Sequence, residues 1–159
     1  MDNKNPKLKR ILIVCTGNSC RSPIAEGFLK KDLNPDDGFI IISAGISTIS
    51  GLGPTVEAIE VMREEGIDIS LHASRPLTKE LAEAADLILV MSAMHKQFIS
   101  DKFPEFKDKV YLYKEYAEIK DNNSEILDPI GQPISIYKQV KDEIKRLSVI
   151  IVNKLRSVS

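Results

Sequence analysis

The sequence predicts an α/β fold, a single-domain three-layer α/β/α arrangement around a central four-stranded parallel sheet, on three observations. Four short apolar runs, at Leu8 to Val14, Phe39 to Ile42, Asp86 to Met91 and Val110 to Tyr113, are nearly uninterrupted rather than alternating. That is the pattern of strands buried on both faces. Helix-period segments separate the runs, and parallel neighbours need such crossovers, which are right-handed. The first run passes directly into a small-residue loop and then an amphipathic segment, so a strand, a tight turn and a helix start follow one another.

In order, Leu8 to Val14 is the first strand, and Ser22 to about Leu33 is a helix with Ile24, Ala25, Phe28 and Leu29 on one face. Asn34-Pro35-Asp36-Asp37-Gly38 ends it. Phe39 to Ile42 is the second strand, closing on Ser43-Ala44-Gly45, and a loop through Gly51 and Gly53 leads to a helix over Pro54 to Glu65 with Gly66 as C-cap. Ile67 to Pro76 is irregular. Thr78 caps a short helix to Ala85. The third strand follows, then a helix from Ala93 to Phe103, the fourth strand, and a polar loop over Lys120 to Gln132 broken by Ile126-Leu127. Ile134, Tyr137, Val140, Ile144, Leu147, Ile151 and Leu155 mark a long closing helix.

A chain of 159 residues holds one domain with a sizeable core, and too little for two ordinary ones. With 43% hydrophobic and 28% charged residues and no low-complexity tract, it reads as soluble and globular. The formal net charge of -1, with both signs interspersed, argues against a nucleic-acid partner. No apolar run reaches membrane-helix length, and Met1 to Arg10 lacks the apolar centre of a signal peptide, so neither a membrane nor export is expected and the location predicted is cytoplasmic. The two cysteines, Cys15 and Cys20, share one loop. That excludes a disulfide framework and a zinc site, and no metal or cofactor is expected.

The chemistry concentrates in Val14-Cys15-Thr16-Gly17-Asn18-Ser19-Cys20-Arg21-Ser22-Pro23. Gly17 and Asn18 tolerate left-handed backbone angles, and Ser22 before Pro23 has the form of an N-cap with proline at the first helical position. Loop amides and a helix N-terminus pointing into one concavity make an anion cradle. Cys15 and Arg21 form the pattern C-x5-R, in which the two residues have different tasks. A cysteine at such a site supplies a thiolate nucleophile. The planar guanidinium fork of Arg21 matches two phosphoryl oxygens and goes on matching them as charge spreads in the transition state.

The string CTGNSCRSP resembles the signature V-C-x-G-N-x-C-R-S-P of the low-molecular-weight protein tyrosine phosphatases, and the likeness extends from Ile11 to about Leu147. It implies a cysteine-dependent phosphatase with phosphorylated protein as substrate, phosphotyrosine first, and with inorganic phosphate or other oxyanions bound by Thr16, Gly17, Asn18, Ser19, Cys20 and Ser22. Asp128-Pro129 is similar to the family's Asp-Pro pair, so Asp128 is the expected general acid. A loop position and a stiff proline suit a carboxyl that must overhang the site. Asn18, Ser43 and His72 resemble the residues that hydrogen-bond around the loop in this family, and Ser22 is expected to donate to the Cys15 thiolate. His95 has no part in this scheme and reads as a solvated helix residue. A bacterial branch that hydrolyses phosphoarginine resembles the chain in Leu77-Thr78-Lys79-Glu80-Leu81, His95-Lys96-Gln97 and Ile136-Tyr137-Lys138-Gln139, and carries a hydroxyl residue at the Ser19 position.

Other functions fit less well. Thioredoxin-coupled arsenate reductases share the loop but need cysteines downstream, and none follows Cys20. Neither G-x-x-x-x-G-K-[ST] nor G-x-G-x-x-G occurs, which disfavours a nucleotide-binding module. A phosphopeptide-binding or redox-sensing module would leave Asp128 without a task. A Cys15 to Cys20 disulfide formed by peroxide is the regulatory expectation.

Overall fold

Strand β1, Lys9–Cys15, carries Ile11, Leu12, Ile13 and Val14 at 0% exposure, so both of its faces are buried, as its unbroken apolar run requires. The computed structural model describes residues 8–119 and 123–157. Of the expected polar loop, residues 120–122 lie outside the described residues. Strands β2 (Phe39–Gly45), β3 (Leu87–Val90) and β4 (Val110–Leu112) join β1 in a sheet of order β2-β1-β3-β4, and every pairing is parallel. Cys15 lies opposite Gly45 in the register, and Val14 opposite Val90. The carboxyl ends of three strands therefore share one edge, where ligands of open parallel sheets bind.

Between the strands run α1 (Arg21–Asp32), α2 (Val56–Arg63), α3 (Lys79–Ala84) and α4 (Ala93–Lys102), and after β4 come α5 (Tyr113–Tyr116) and α6 (Ile134–Ser157). Strand alternation sorts them into two layers. Ile11, Ile13 and Cys15 join the core with Ile24 and Phe28 of α1, Met62 of α2 and Ile144 of α6, whereas Leu12 and Val14 pack with Ala82 of α3 and Ile99 of α4. Each fully buried aliphatic side chain stabilises the fold by about 1.5–3 kcal/mol, so the sheet core outweighs any single loop preference.

Helix ends follow local chemistry. Thr55 caps α2 by accepting from the Ala58 amide at 3.3 Å, and Thr78 caps α3 by accepting from the Leu81 amide at 3.2 Å. Gly66, at φ +75°, closes α2. Its amide donates to the Arg63 carbonyl and the Ile67 amide to that of Met62, the paired bonds of a Schellman ending. Several expected elements are shorter than predicted: the third strand spans Leu87–Val90, the helix expected over Pro54 to Glu65 spans Val56–Arg63, and the fourth strand is cut at its end. The fourth strand ends at Leu112, and Tyr113 begins α5, because its buried hydroxyl meets Ser148 Oγ of α6 at 2.6 Å and the backbone turns to bring it there.

Candidate active site

The chain leaves β1 at Cys15 and crosses five residues before α1 begins at Arg21. Of the two loop residues that tolerate left-handed angles, Asn18 adopts one, at φ +54°, and Gly17 does not. Asparagine tolerates that region because its short amide hydrogen-bonds locally. The glycine the turn does require is Gly45 at the end of β2. A Cβ there would stand 2.7 Å from the Thr16 carbonyl oxygen, so only glycine lets β2 run this close beneath the loop. The Ile46 and Ser47 amides then donate to the Cys15 and Thr16 carbonyls at 3.0 and 2.9 Å, hanging the loop from the sheet edge.

Cys15 Sγ receives the Asn18 backbone N–H at 3.3 Å and lies 2.9 Å from Ser22 Oγ. The expected N-cap role of Ser22 is corrected. Cys20 occupies the cap position without a side-chain bond to the helix amides, and Ser22 sits within the first turn of α1, fully buried, with its hydroxyl turned to the sulfur. The proton directions follow from the partners. The Arg75 amide donates to Asn18 Oδ1 at 3.0 Å, which fixes the amide, so Asn18 Nδ2 donates to Ser22 Oγ at 2.8 Å and Ser43 Oγ at 2.9 Å. Ser22 Oγ, having accepted from Asn18, spends its own proton on Cys15 Sγ. His72 Nε2 donates to the Asn18 carbonyl at 3.0 Å, and its Nδ1 stands 3.7 Å from Glu26 Oε2.

Asn18, Ser22, Ser43 and His72 are thus gathered into one buried network around the loop. Sequence reasoning missed Glu26, which lies one helical turn after Ser22 on the same helix and closes the network from below. Burial works to raise its carboxyl, but the adjacent His72, the charge of Lys30 and the Ser43 hydroxyl outweigh that and hold it below its ordinary value.

Arg21, only 5% exposed, donates from Nη1 to the Ile126 carbonyl at 3.0 Å and places Nη2 3.5 Å from Asp128 Oδ2. Asp128 is open to solvent and accepts the Ile130 amide at 3.2 Å through Oδ1, the local bond of an Asp-Pro turn. Thr16, Arg21, Ser92, Met94 and Asp128 line a cavity of about 370 Å³ between the two loops. A larger one of about 680 Å³, walled by Glu26, Lys30, His72 and Arg75, includes neither Arg21 nor Asp128. The smaller cavity holds Arg21 and Asp128 together, although Cys15 itself does not line it.

Two side chains are placed otherwise than their sequence positions suggest. His95 is fully buried, not solvated. Its Nε2 is 2.8 Å from Thr16 Oγ1, and its Nδ1 accepts the Ser92 backbone N–H at 3.1 Å. Burial first, then the charge of Arg21, push its pKa down to about 4, with Asp128 acting in the opposite sense. The signal was present in Ser92-x-x-His95, the spacing of a capping box with histidine in the place usually taken by glutamate or glutamine. Cys20, a free thiol like Cys15, packs beneath the loop against Thr55 Oγ1 and Tyr137 OH, each at 3.5 Å. Ser19 is half-buried in the loop wall, and Thr55 and Tyr137 are further residues that sequence reasoning did not connect with the site.

A family model described as low molecular weight phosphotyrosine protein phosphatase matches residues 10–157. A protein-arginine-phosphatase from Bacillus subtilis is 41% identical over 138 residues, covering 86% of this chain and 90% of the relative. Among solved structures, the YwlE arginine phosphatase from Geobacillus stearothermophilus superposes with a TM-score of 0.87 at 39% identity, covering 94% of each chain. The tyrosine phosphatase Wzb from Escherichia coli K30, solved in complex with sulphate, gives a TM-score of 0.83 at 30% identity, over 93% of this chain and 99% of that one. Likeness of this extent spans the Cys15 loop, the sheet edge and the Asp128 loop together, and the chain belongs to the low-molecular-weight phosphotyrosine protein phosphatase family.

Proposed function

We propose that this protein is a cysteine-dependent phosphatase that hydrolyses phosphorylated protein side chains through a cysteinyl-phosphate. The observation that carries the reading is the environment of Cys15 Sγ, with the Ser22 hydroxyl at 2.9 Å and the Asn18 N–H at 3.3 Å, in a loop whose Arg21 meets Asp128 at 3.5 Å. In the first step the Cys15 thiolate attacks phosphorus and the bond to the leaving group breaks, while Asp128 gives that group its proton. Arg21 and the amides of Thr16, Gly17, Asn18, Ser19 and Cys20 hold the phosphoryl oxygens. In the second step the Asp128 carboxylate takes a proton from water, water's oxygen joins phosphorus, and the sulfur leaves as a thiolate that the Ser22 hydroxyl stabilises.

The phosphorylated side chain is the finer question. Phosphotyrosine is the substrate that the family name carries and that the sequence predicts first. Phosphoarginine is favoured by two specific observations, the arginine phosphatases among the relatives and the small hydroxyl of Ser19 in the loop wall, which suits a planar guanidinium rich in N–H donors better than a phenyl ring. The reading includes a cytoplasmic location, supported by two free cysteines; among the described residues no helix is long and apolar enough to cross a membrane.

Phosphate release from p-nitrophenyl phosphate, a phosphotyrosine peptide and a phosphoarginine peptide, measured side by side, tests both levels. Release that vanishes in Cys15→Ser while oxyanion binding persists is the expected result. No release from any of the three substrates by the wild type would overturn the enzyme reading, and the ratio between the two peptides decides the side chain.

A further inference from the structure

Thr16 follows the nucleophile directly, and its hydroxyl is bonded from outside the loop by a residue of α4. The direction of that bond can be derived. The Ser92 backbone N–H can only donate, so His95 Nδ1, 3.1 Å away, is an acceptor and carries no proton. The Ser92 hydroxyl, 3.0 Å from the same nitrogen, is a second donor to it. The single proton of the neutral imidazole is therefore on Nε2, and Nε2 donates to Thr16 Oγ1 at 2.8 Å. A hydroxyl that accepts one hydrogen bond still has its own proton to give, and accepting strengthens it as a donor. Thr16 belongs to the Cys15 loop and lines one cavity with Arg21 and Asp128, the two charged groups of the proposed site, so that proton has an anion's binding groups for neighbours.

We propose that His95 is a positioning residue of the reaction: its Nε2–H holds Thr16 Oγ1 so that the Thr16 hydroxyl proton is directed at the bound phosphoryl group. The inference rests on the phosphatase reading and adds a donor to it. It also explains why histidine takes this capping position. Glutamate would accept from Ser92 equally well, but it has no proton for Thr16 and would set a negative charge against an anion site. A carboxamide offers an acceptor and a donor at nearly the same separation as the two imidazole nitrogens, and glutamine, with one more methylene than asparagine, carries it further towards Thr16.

A mutant cycle separates this role from simple capping of α4. Thr16→Val, His95→Ala, His95→Gln, Thr16→Ser and the double variant Thr16→Val/His95→Ala are compared in kcat/KM on p-nitrophenyl phosphate and in affinity for inorganic phosphate. Hydrogen bonds to charged groups correspond to losses of about ten- to a hundredfold, so Thr16→Val and His95→Ala should each lower both quantities by that order. Because His95 acts through Thr16, the double variant should be no worse than Thr16→Val alone, and Thr16→Ser and His95→Gln should stay close to wild type. Losses that multiply in the double variant, or full function in Thr16→Val, would overturn the proposal. If His95→Ala fails to fold, Thr16→Val and His95→Gln still decide it: reduced function in the first with retained function in the second supports it, and any other pairing refutes it. A wild type that binds phosphate without turnover would sink the phosphatase reading while leaving this comparison legible in the binding arm.

Discussion

Arg21 Nη2 and Asp128 Oδ2 stand 3.5 Å apart, so a single guanidinium links the Cys15 loop to the Asp128 loop. Its other arm is tied to the Ile126 carbonyl, two residues before Asp128, at 3.0 Å. Arg21 therefore does more than await an anion. It sets where the acid loop sits over Cys15, although the two are far apart in sequence.

Asp128→Asn should slow substrates with poor leaving groups by about 10²- to 10⁴-fold, the range a positioned general acid supplies. An activated phenolate barely needs the proton, so p-nitrophenyl phosphate should lose far less. Comparing kcat on p-nitrophenyl phosphate with kcat on a phosphopeptide checks this, and equal losses would assign Asp128 a structural task.

Gly45→Ala should cost about 1–3 kcal/mol of stability and most of the activity. The new methyl group would sit 2.7 Å from the Thr16 carbonyl oxygen, and backbone cannot swing aside as a flexible side chain can. Urea unfolding and turnover measured on the same preparation test the coupling; a stable variant with wild-type kcat would show that the close approach is dispensable.

The fold should lose stability as pH falls from about 6.5 towards 4, because burial and Arg21 lower the folded pKa of His95 from its ordinary 6.5 to about 4. The sign follows from proton binding. In that window the unfolded chain takes up the proton and the folded chain does not, so the stabilisation is complete above the unfolded pKa and drains away below it, by on the order of 3 kcal/mol. His95→Gln should flatten this part of the profile. The carboxylate of Glu26, held below its ordinary 4.5, contributes its own loss only at lower pH. Urea midpoints at neutral pH and near pH 5, roughly the middle of the window, separate wild type from variant.

Peroxide should inactivate the wild type reversibly and Cys20→Ser irreversibly. A sulfenic acid on Cys15 can condense with the second thiol of the loop, losing water and forming a disulfide that dithiothreitol reduces. Activity recovered after dithiothreitol, compared between the two proteins, is the measurement. Equal recovery would leave Cys20 with packing alone, against Thr55 and Tyr137.

The sequence by itself determined the parts of this protein that depend on short-range patterns. Unbroken β-branched runs demand strands buried on both faces, which gave the parallel sheet and two helical layers. Cys15 to Pro23 announced an anion loop because small residues, a cysteine and an arginine stand there at fixed spacing. Caps at Thr78 and Gly66 were legible for the same reason, since each depends on neighbours within one turn.

Only the tertiary structure decided which way polar groups face. Ser22 has the local form of an N-cap, yet a buried donor from Asn18 and a nearby sulfur turned it inward, where an unpaired hydroxyl would have cost more than a missing cap. His95 lies on a helix of mixed polarity and looked solvated. Burial against Thr16 and Ser92 followed from packing α4 on the sheet, which no local pattern encodes beyond the spacing of Ser92 and His95. Glu26 became part of the site in the same way, by the meeting of α1 with the segment carrying His72. Hydrogen-bond partners are chosen by long-range approach, because a buried polar atom must take whichever partner the folded chain brings within reach.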